Sequence, residues 1–282
     1  MNTSSSRSSA RADAAPRRRT PRPKRNRAWV PDQHGAWVMV ILPFLIGVFL
    51  AGVHPLHIPL AIAWLSGYFC FFAAGLFLKV RTATRGDRRA QYATPMYVYG
   101  AMSALASLIV LVFQPQLIAF ALLFGPLVAI AVWEAWNKRG RSLASGLSTV
   151  VASSLLIPVA CAITDQLDRS VWITTLLLAL YFAGTVPLVK TLIRDRGSRR
   201  MLAISLGMHG AAAVVAVGLF FAGEASWFTA IVFCLLVVRA AVLPSINNRR
   251  IAEDESPLSA KKVGRWESLW TLLVTVAILL PV

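Results

Sequence analysis

The residues of this chain best suited to chemistry are cations on turns. Lys79-Val-Arg-Thr-Ala-Thr-Arg85-Gly86-Asp87-Arg88-Arg89 and Lys190-Thr-Leu-Ile-Arg-Asp195-Arg196-Gly197-Ser-Arg199-Arg200 both read K-x6-G-x-R-R, with Arg85 matching Arg196. Each lysine ends a long apolar run, and each glycine permits a turn with positive φ. Paired guanidinium groups fork around phosphate or carboxylate with parallel hydrogen bonds, so the two loops could form one bipartite anion site. Plain basic loops of a membrane protein would read the same way, because Arg-rich stretches match each other cheaply. A functional pair has to face one cavity, as repeat-related loops often do.

Other candidates lie inside or beside apolar runs. His209 follows the start of the seventh run by a little over two turns, roughly 10–12 Å below the basic surface. Gly207 and Gly210 beside it let another helix approach. It reads either as a functional group, as intramembrane ionisable residues do by default, or as a neutral ring bonded to a neighbour. Arg239 and Glu134 lie near the same end of their runs, so an ion pair between them is open, and so is snorkelling of the arginine to the interface. Glu267 reads as interfacial. Gln33 and His34 open the first run beside Asp32, which suits a helix cap, and Trp37, which suits the interfacial belt. Cys70, Cys161 and Cys234 all fall in apolar runs with no CxxC pair or histidine at metal spacing, so they read as small hydrophobes.

These groups have to be positioned by helices in a bilayer. The chain has 282 residues, 57% hydrophobic and 15% charged, and a soluble domain of this size could not clothe so much apolar surface. Residues 1–28, rich in Ser, Pro, Ala and Arg, have nothing to offset the entropy of ordering and read as a disordered basic tail retained in the protein. Residues 29–282 read as one transmembrane helical domain. Runs long enough to cross a hydrocarbon core, about 20 residues, occur nine times: Ala36–Val53, His57–Leu78, Met96–Phe113, Leu117–Trp136, Leu143–Ile163, Val171–Ile193, Leu202–Ala222, Trp227–Leu243 and Trp266–Val282. The net charge of +17 would suggest nucleic acid in a soluble protein. Here all but one of the 29 Lys and Arg, Arg169, fall in the tail or in alternate linkers. Under the positive-inside rule that places the tail and basic loops in the cytoplasm and the C-terminus outside, with no specific nucleic-acid partner expected.

Pro31-Asp-Gln-His-Gly-Ala-Trp37 resembles the opening of the first span in the YwiC-like family of bacterial membrane proteins. The resemblance extends over Trp29 to Val282 and includes Lys-Thr-x-Ile-Arg-x-Arg-Gly at Lys190–Gly197. It implies a bacterial cytoplasmic membrane protein without a settled activity. Nine spans with matched loops after the second and sixth are also similar to UbiA-type prenyltransferases, which would make this an all-α, UbiA-like bundle with an internal duplication. Those enzymes carry Asp-rich motifs that hold Mg²⁺ against a diphosphate. Here the loops offer only Asp87 and Asp195 among ten cations, a poor cradle for a hard divalent ion, so magnesium is not expected and no cofactor is identified.

Three functions follow. The first is binding of an anionic lipid or isoprenoid headgroup at a basic cavity through Gln33, His34, Lys79, Arg85, Arg88, Arg89, Lys190, Arg196, Arg199, Arg200 and His209, with membrane lipids as the partners. The second is transfer of a prenyl or related lipid group, with Asp87, Asp195 and His34 the evident acid–base candidates. The third is transport, supported by the repeat.

Overall fold

The computed structural model describes residues 29–31, 34–80 and 86–281, and for residues 34–36 and 86–89 the backbone course alone. Among the described residues every regular element is a helix: α1 His34–Ala51, α2 His57–Lys79, α3 Gly86–Phe113, a 3-10 helix Pro115–Phe120 running into α4 Ala121–Trp136, α5 Leu143–Ser154, α6 Leu156–Ala162, α7 Arg169–Ile193, α8 Arg199–Phe221, α9 Trp227–Ala252 and α10 Ala260–Leu279. Seven rods are long and apolar enough to cross a membrane, counting the 3-10 helix with α4 and α5 with α6 as single rods. Of the other two, α1 has a shorter apolar stretch, Trp37–Ala51, and α10 carries Lys261, Lys262, Arg265 and Glu267 in its first turns. The chain is therefore a multi-pass helical membrane bundle.

The helices overrun the apolar runs at the basic end. α3 begins at Gly86 rather than near Met96, α9 continues to Ala252 past Leu243, and α10 starts at Ala260 before Trp266. Hydropathy sees only the part that must sit in hydrocarbon, whereas Arg, Lys, Ala and Gln extend a helix readily into polar surroundings. The fifth rod is broken. Pro158 has no N–H to give the carbonyl of Ser154, and its ring crowds that carbonyl, so α5 stops at Ser154 and α6 restarts at Leu156 with the proline in its first turn. Ser142, Asp168, Ser198, Ser226 and Ser259 cap α5, α7, α8, α9 and α10 by accepting from backbone N–H groups three residues on. The bonds from Val171 N–H and the Ser170 hydroxyl hold the Asp168 carboxyl below the usual carboxylate range.

Packing is uneven. The main core gathers Ile46 of α1, Ile157 and Cys161 of α6, Leu178, Tyr181 and Phe182 of α7, Ala212 and Ala216 of α8, Phe233 and Leu236 of α9 and Val274 and Ala277 of α10. In lipid such contacts hold helices together by close fit rather than by expelling water. The closest fit joins α1 to α6: a Cβ on Gly47 would lie 2.8 Å from the Ala160 Cβ and 3.0 Å from the Ile157 Cα. The α2–α3 hairpin lies outside this core. It is tied in by the Trp64 indole N–H donating to the Val40 carbonyl (2.8 Å), by the His57 ring 3.1 Å from the Ala160 carbonyl, and by edge contacts of Trp37 with Tyr68 and Phe69. At the end away from the basic loops, Arg169 pairs with Glu224 (3.0 Å) and Gln114 donates to the Ile163 carbonyl (3.1 Å), joining three linkers that carry few charges.

Candidate functional site

Two polar constructions stand on the same helices. The deeper one centres on Arg239, twelve residues into α9 and roughly 18 Å along its axis, which is 4% exposed. Its Nη1 donates to Glu267 Oε2 of α10 at 3.1 Å. Its Nη2 lies 3.4 Å from Thr185 Oγ1 of α7 and 3.3 Å from His209 Nε2 of α8. The guanidinium also lies over the rings of Trp270 (5.3 Å) and Tyr181 (5.9 Å), a cation–π arrangement. On the far side, Thr271 donates to the Glu267 carbonyl (2.7 Å), which leaves its oxygen to accept from the Tyr181 hydroxyl at 2.9 Å.

Hydrogen-bond direction fixes the tautomer of His209. Its Nδ1 lies 2.8 Å from the Ser205 carbonyl, which can only accept, so Nδ1 carries the proton. Nε2 then holds a lone pair toward Arg239. The 1%-exposed ring has space because residue 184 is glycine: a Cβ there would come within 2.9–3.0 Å of three ring atoms. Three buried polar atoms nonetheless lack a partner among the described residues, namely Arg239 Nε, Glu267 Oε1 and Ser205 Oγ.

The second construction is a recess of about 600 Å³ where the α7–α8 turn meets the start of α5. Lys190, Arg196, Ser198 and Arg200 line it with the carboxylate-bearing Asp195, and Leu143, Met201 and Ile204 supply apolar wall. The turn folds because Gly197 adopts φ +75° and because Arg196 Nε donates to the Leu192 carbonyl at 2.9 Å, closing α7. Asn247, fully buried, accepts from the Leu258 N–H (2.8 Å) and donates to the Leu192 carbonyl (3.3 Å), which locks the α9–α10 connection onto the same place. Ser205, the first member of the deep cluster, follows Ile204 directly.

The residues singled out in the sequence are distributed as follows. Lys190, Arg196 and Arg200 come together in the recess, and Arg199 is exposed beside it. Lys79 lines a different recess with Lys138, Arg139 and Arg141, so among the described residues the two loops do not share one cavity. Gly86 does not form the turn expected of it but opens α3. Arg88 and Arg89 fall in the first turn of α3 with side chains outside the described set, as is the side chain of His34, while Gln33 and Arg85 lie wholly outside it. His209 is bonded on both ring nitrogens. The Arg239–Glu134 pair does not form: Glu134 is taken by Arg139, five residues on (2.9 Å), and Arg239 neither snorkels nor reaches it. Glu267 is not interfacial, since two turns of α10 carry it inward to the arginine. Thr185, Tyr181, Thr271 and Asn247 were missed. Hydroxyls within apolar runs, and an amide such as Asn247 just beyond one, have no distinguishing spacing; the Gly-Thr step at 184–185 is the one local signal, since it leaves room for a neighbouring ring.

Comparison with known proteins identifies the chain's relatives. The YwiC-like protein family model matches residues 30–161. A Bacillus subtilis protein described as uncharacterised YwiC is 31% identical over 184 residues, 65% of this chain and 74% of that protein. An uncharacterised Haemophilus influenzae protein is 25% identical over 217 residues, 77% of this chain and 87% of its own length. No solved structure matches, so the similarity to UbiA-type enzymes gains no support from this quarter. With the proline-to-tryptophan heptad, the family match and the relative in Bacillus in agreement, the chain belongs to the YwiC-like family.

Proposed function

We propose that this membrane protein binds the phosphate-bearing headgroup of an anionic lipid or isoprenoid at the Lys190–Arg196–Arg200 recess, with the basic face toward the cytoplasm. The observation that carries the reading is the grouping of three cations against one carboxylate, Asp195, in a recess whose remaining wall is Leu143, Met201 and Ile204. Such a wall suits the first methylenes of an acyl or isoprenoid chain, and Arg196 and Arg200 supply donors that match phosphate geometry. The reading needs one loop only, so it survives the separation of Lys79 from Lys190.

Native mass spectrometry of the detergent-purified protein, titrated with phosphatidylglycerol and with phosphatidylcholine of the same chains, tests this. Wild type should retain more of the anionic lipid, Arg196→Ala/Arg200→Ala should lose that preference, and Lys138→Ala in the other recess should keep it. Equal retention of both lipids by wild type would sink the reading. Transfer of a lipid group would instead require Asp195, and Asp195→Asn should leave binding intact. Transport is a second reading, favoured by the charged cluster buried at mid-membrane, since intramembrane ion pairs commonly mark ion or substrate pathways.

A further inference from the structure

The deep cluster contains one place where a charge could change. Arg239 stays cationic in any protein environment. His209 is held as the Nδ1–H tautomer by the Ser205 carbonyl, and a second proton would go onto Nε2, 3.3 Å from a guanidinium nitrogen. Two donors would then face each other with like charge. Tyr181 already gives its proton to Thr271, and Thr271 gives its own to the Glu267 carbonyl. What remains is Glu267, whose Oε2 receives Arg239 while Oε1 is buried with no partner among the described residues. A carboxylate oxygen buried at this depth without a donor is destabilising, because hydrocarbon offers no water to satisfy it.

We propose that the Arg239–Glu267 pair is an intramembrane proton-binding site, with Glu267 Oε1 the acceptor and hydronium from water the proton source. In the step, a hydronium ion gives its proton to Oε1 and leaves as water. One O–H bond forms, one O–H bond of hydronium breaks, and the cluster gains one positive charge. Arg239 keeps neutral acceptors in that state, because Thr185 Oγ1 and the His209 Nε2 lone pair face Nη2 independently of the carboxylate. With the proton on Oε1, Oε2 remains the acid's carbonyl oxygen and still accepts from Nη1, so the guanidinium keeps that neutral acceptor as well as the two facing Nη2. On α8, Ser205, one residue past the recess-lining Ile204, also carries a buried hydroxyl with no partner among the described residues. The ionisable groups facing Glu267 are Arg239 from α9 and Tyr181 from α7, with His209 of α8 behind the guanidinium, and Lys261, Lys262 and Arg265 lie toward the basic end of its own helix. This inference is independent of the headgroup reading, and each can fail alone.

The test is infrared difference spectroscopy of the full-length protein in lipid vesicles, stepping pH from mildly alkaline to mildly acidic. The carbonyl stretch of a protonated carboxylic acid should appear in wild type, shift down in deuterated water and vanish in Glu267→Gln. Because Glu267→Gln could fail to fold, a second variant carries the same question. Glu134→Gln/Glu224→Gln/Glu253→Gln/Glu255→Gln leaves residue 267 as the one glutamate of the sequence. With ¹³C-glutamate labelling, the band should remain in that variant and take the isotope shift. Absence of a labelled band in the quadruple variant, or its persistence in Glu267→Gln, overturns the proposal.

Discussion

The rods of α5–α6 and α7 have 61% of their spanning windows buried, whereas those of α3 and α4 have 11%. Both regions are apolar and of similar length, so composition does not separate them. What separates them is where polar groups sit. α5 to α10 bring Ser, Thr, His, Arg and Glu side chains inward and satisfy nearly all of them, as groups in hydrocarbon must be. α3 and α4 turn Leu105, Val112, Leu122 and Trp133 outward and face lipid. The bundle is thus a packed half that holds the deep Arg239–Glu267–His209 cluster and a peripheral half whose one buried ion-pairing group among the described residues, Glu134, lies at the basic end of α4, and the two should respond differently to substitution.

The largest contrast should come from the buried pair. Arg239→Met removes one partner and leaves the Glu267 carboxylate alone, which in buried pairs costs about 3–5 kcal/mol. Loss of helical signal with denaturant in micelles should show it, and a loss below about 1 kcal/mol would mean that Glu267 readily exists without its partner. Next come two glycines of opposite expectation. Gly184→Ala forces the enclosed His209 ring to move and should cost about 1–3 kcal/mol, whereas Gly75→Ala in α2, where an added Cβ meets nothing within 4 Å, should be neutral or stabilising by up to about 1 kcal/mol. Destabilisation of both alike would erase the proposed division. Asp168→Ala should lose about 1 kcal/mol or less, the worth of an exposed cap. Because this carboxyl is held below its ordinary value, its contribution should be present above the unfolded aspartate pKa and fade as pH falls through the lower folded one, which an acid titration of wild type against the variant measures. Smallest of all, Leu122→Ala on α4, 80% exposed, should change stability by no more than about 0.5 kcal/mol.

Apolar length made the rods legible in their order along the chain, because the bilayer imposes one requirement on every span, but not to the residue, since α3, α9 and α10 extend well past their apolar runs. The break in the fifth rod was not legible: Leu143–Ile163 reads as one run, and Pro43, Pro95, Pro126, Pro187 and Pro244 stand inside helices that continue past them, so a proline alone does not announce the interruption. The Lys190 turn was legible through Gly197, whose positive φ only glycine adopts easily. Partner choice at depth was not. Arg239 found Glu267, on the next helix, instead of Glu134, because the rotation of each helix about its own axis decides which groups meet, and hydropathy carries no information on rotation. The matched loops illustrate the same limit. Their arginine pairs both enter the first turn of the following helix, yet the lysines preceding them line different recesses, because different neighbours, α4–α5 in one case and the start of α5 in the other, close each space.

The His209 ring against Gly184 also has a mechanical consequence. Neighbouring helices ordinarily accommodate a change of state by sliding past each other in small shear steps. Here the His209 ring of α8 is wedged onto the bare Gly184 backbone of α7 and is held in that position by the Ser205 carbonyl of its own helix and by Arg239 of α9, so it acts as a fulcrum between α7 and α8. Translation along the axis would drive the ring into the Cβ of the next residue, so the pair can tilt about this point but not slip.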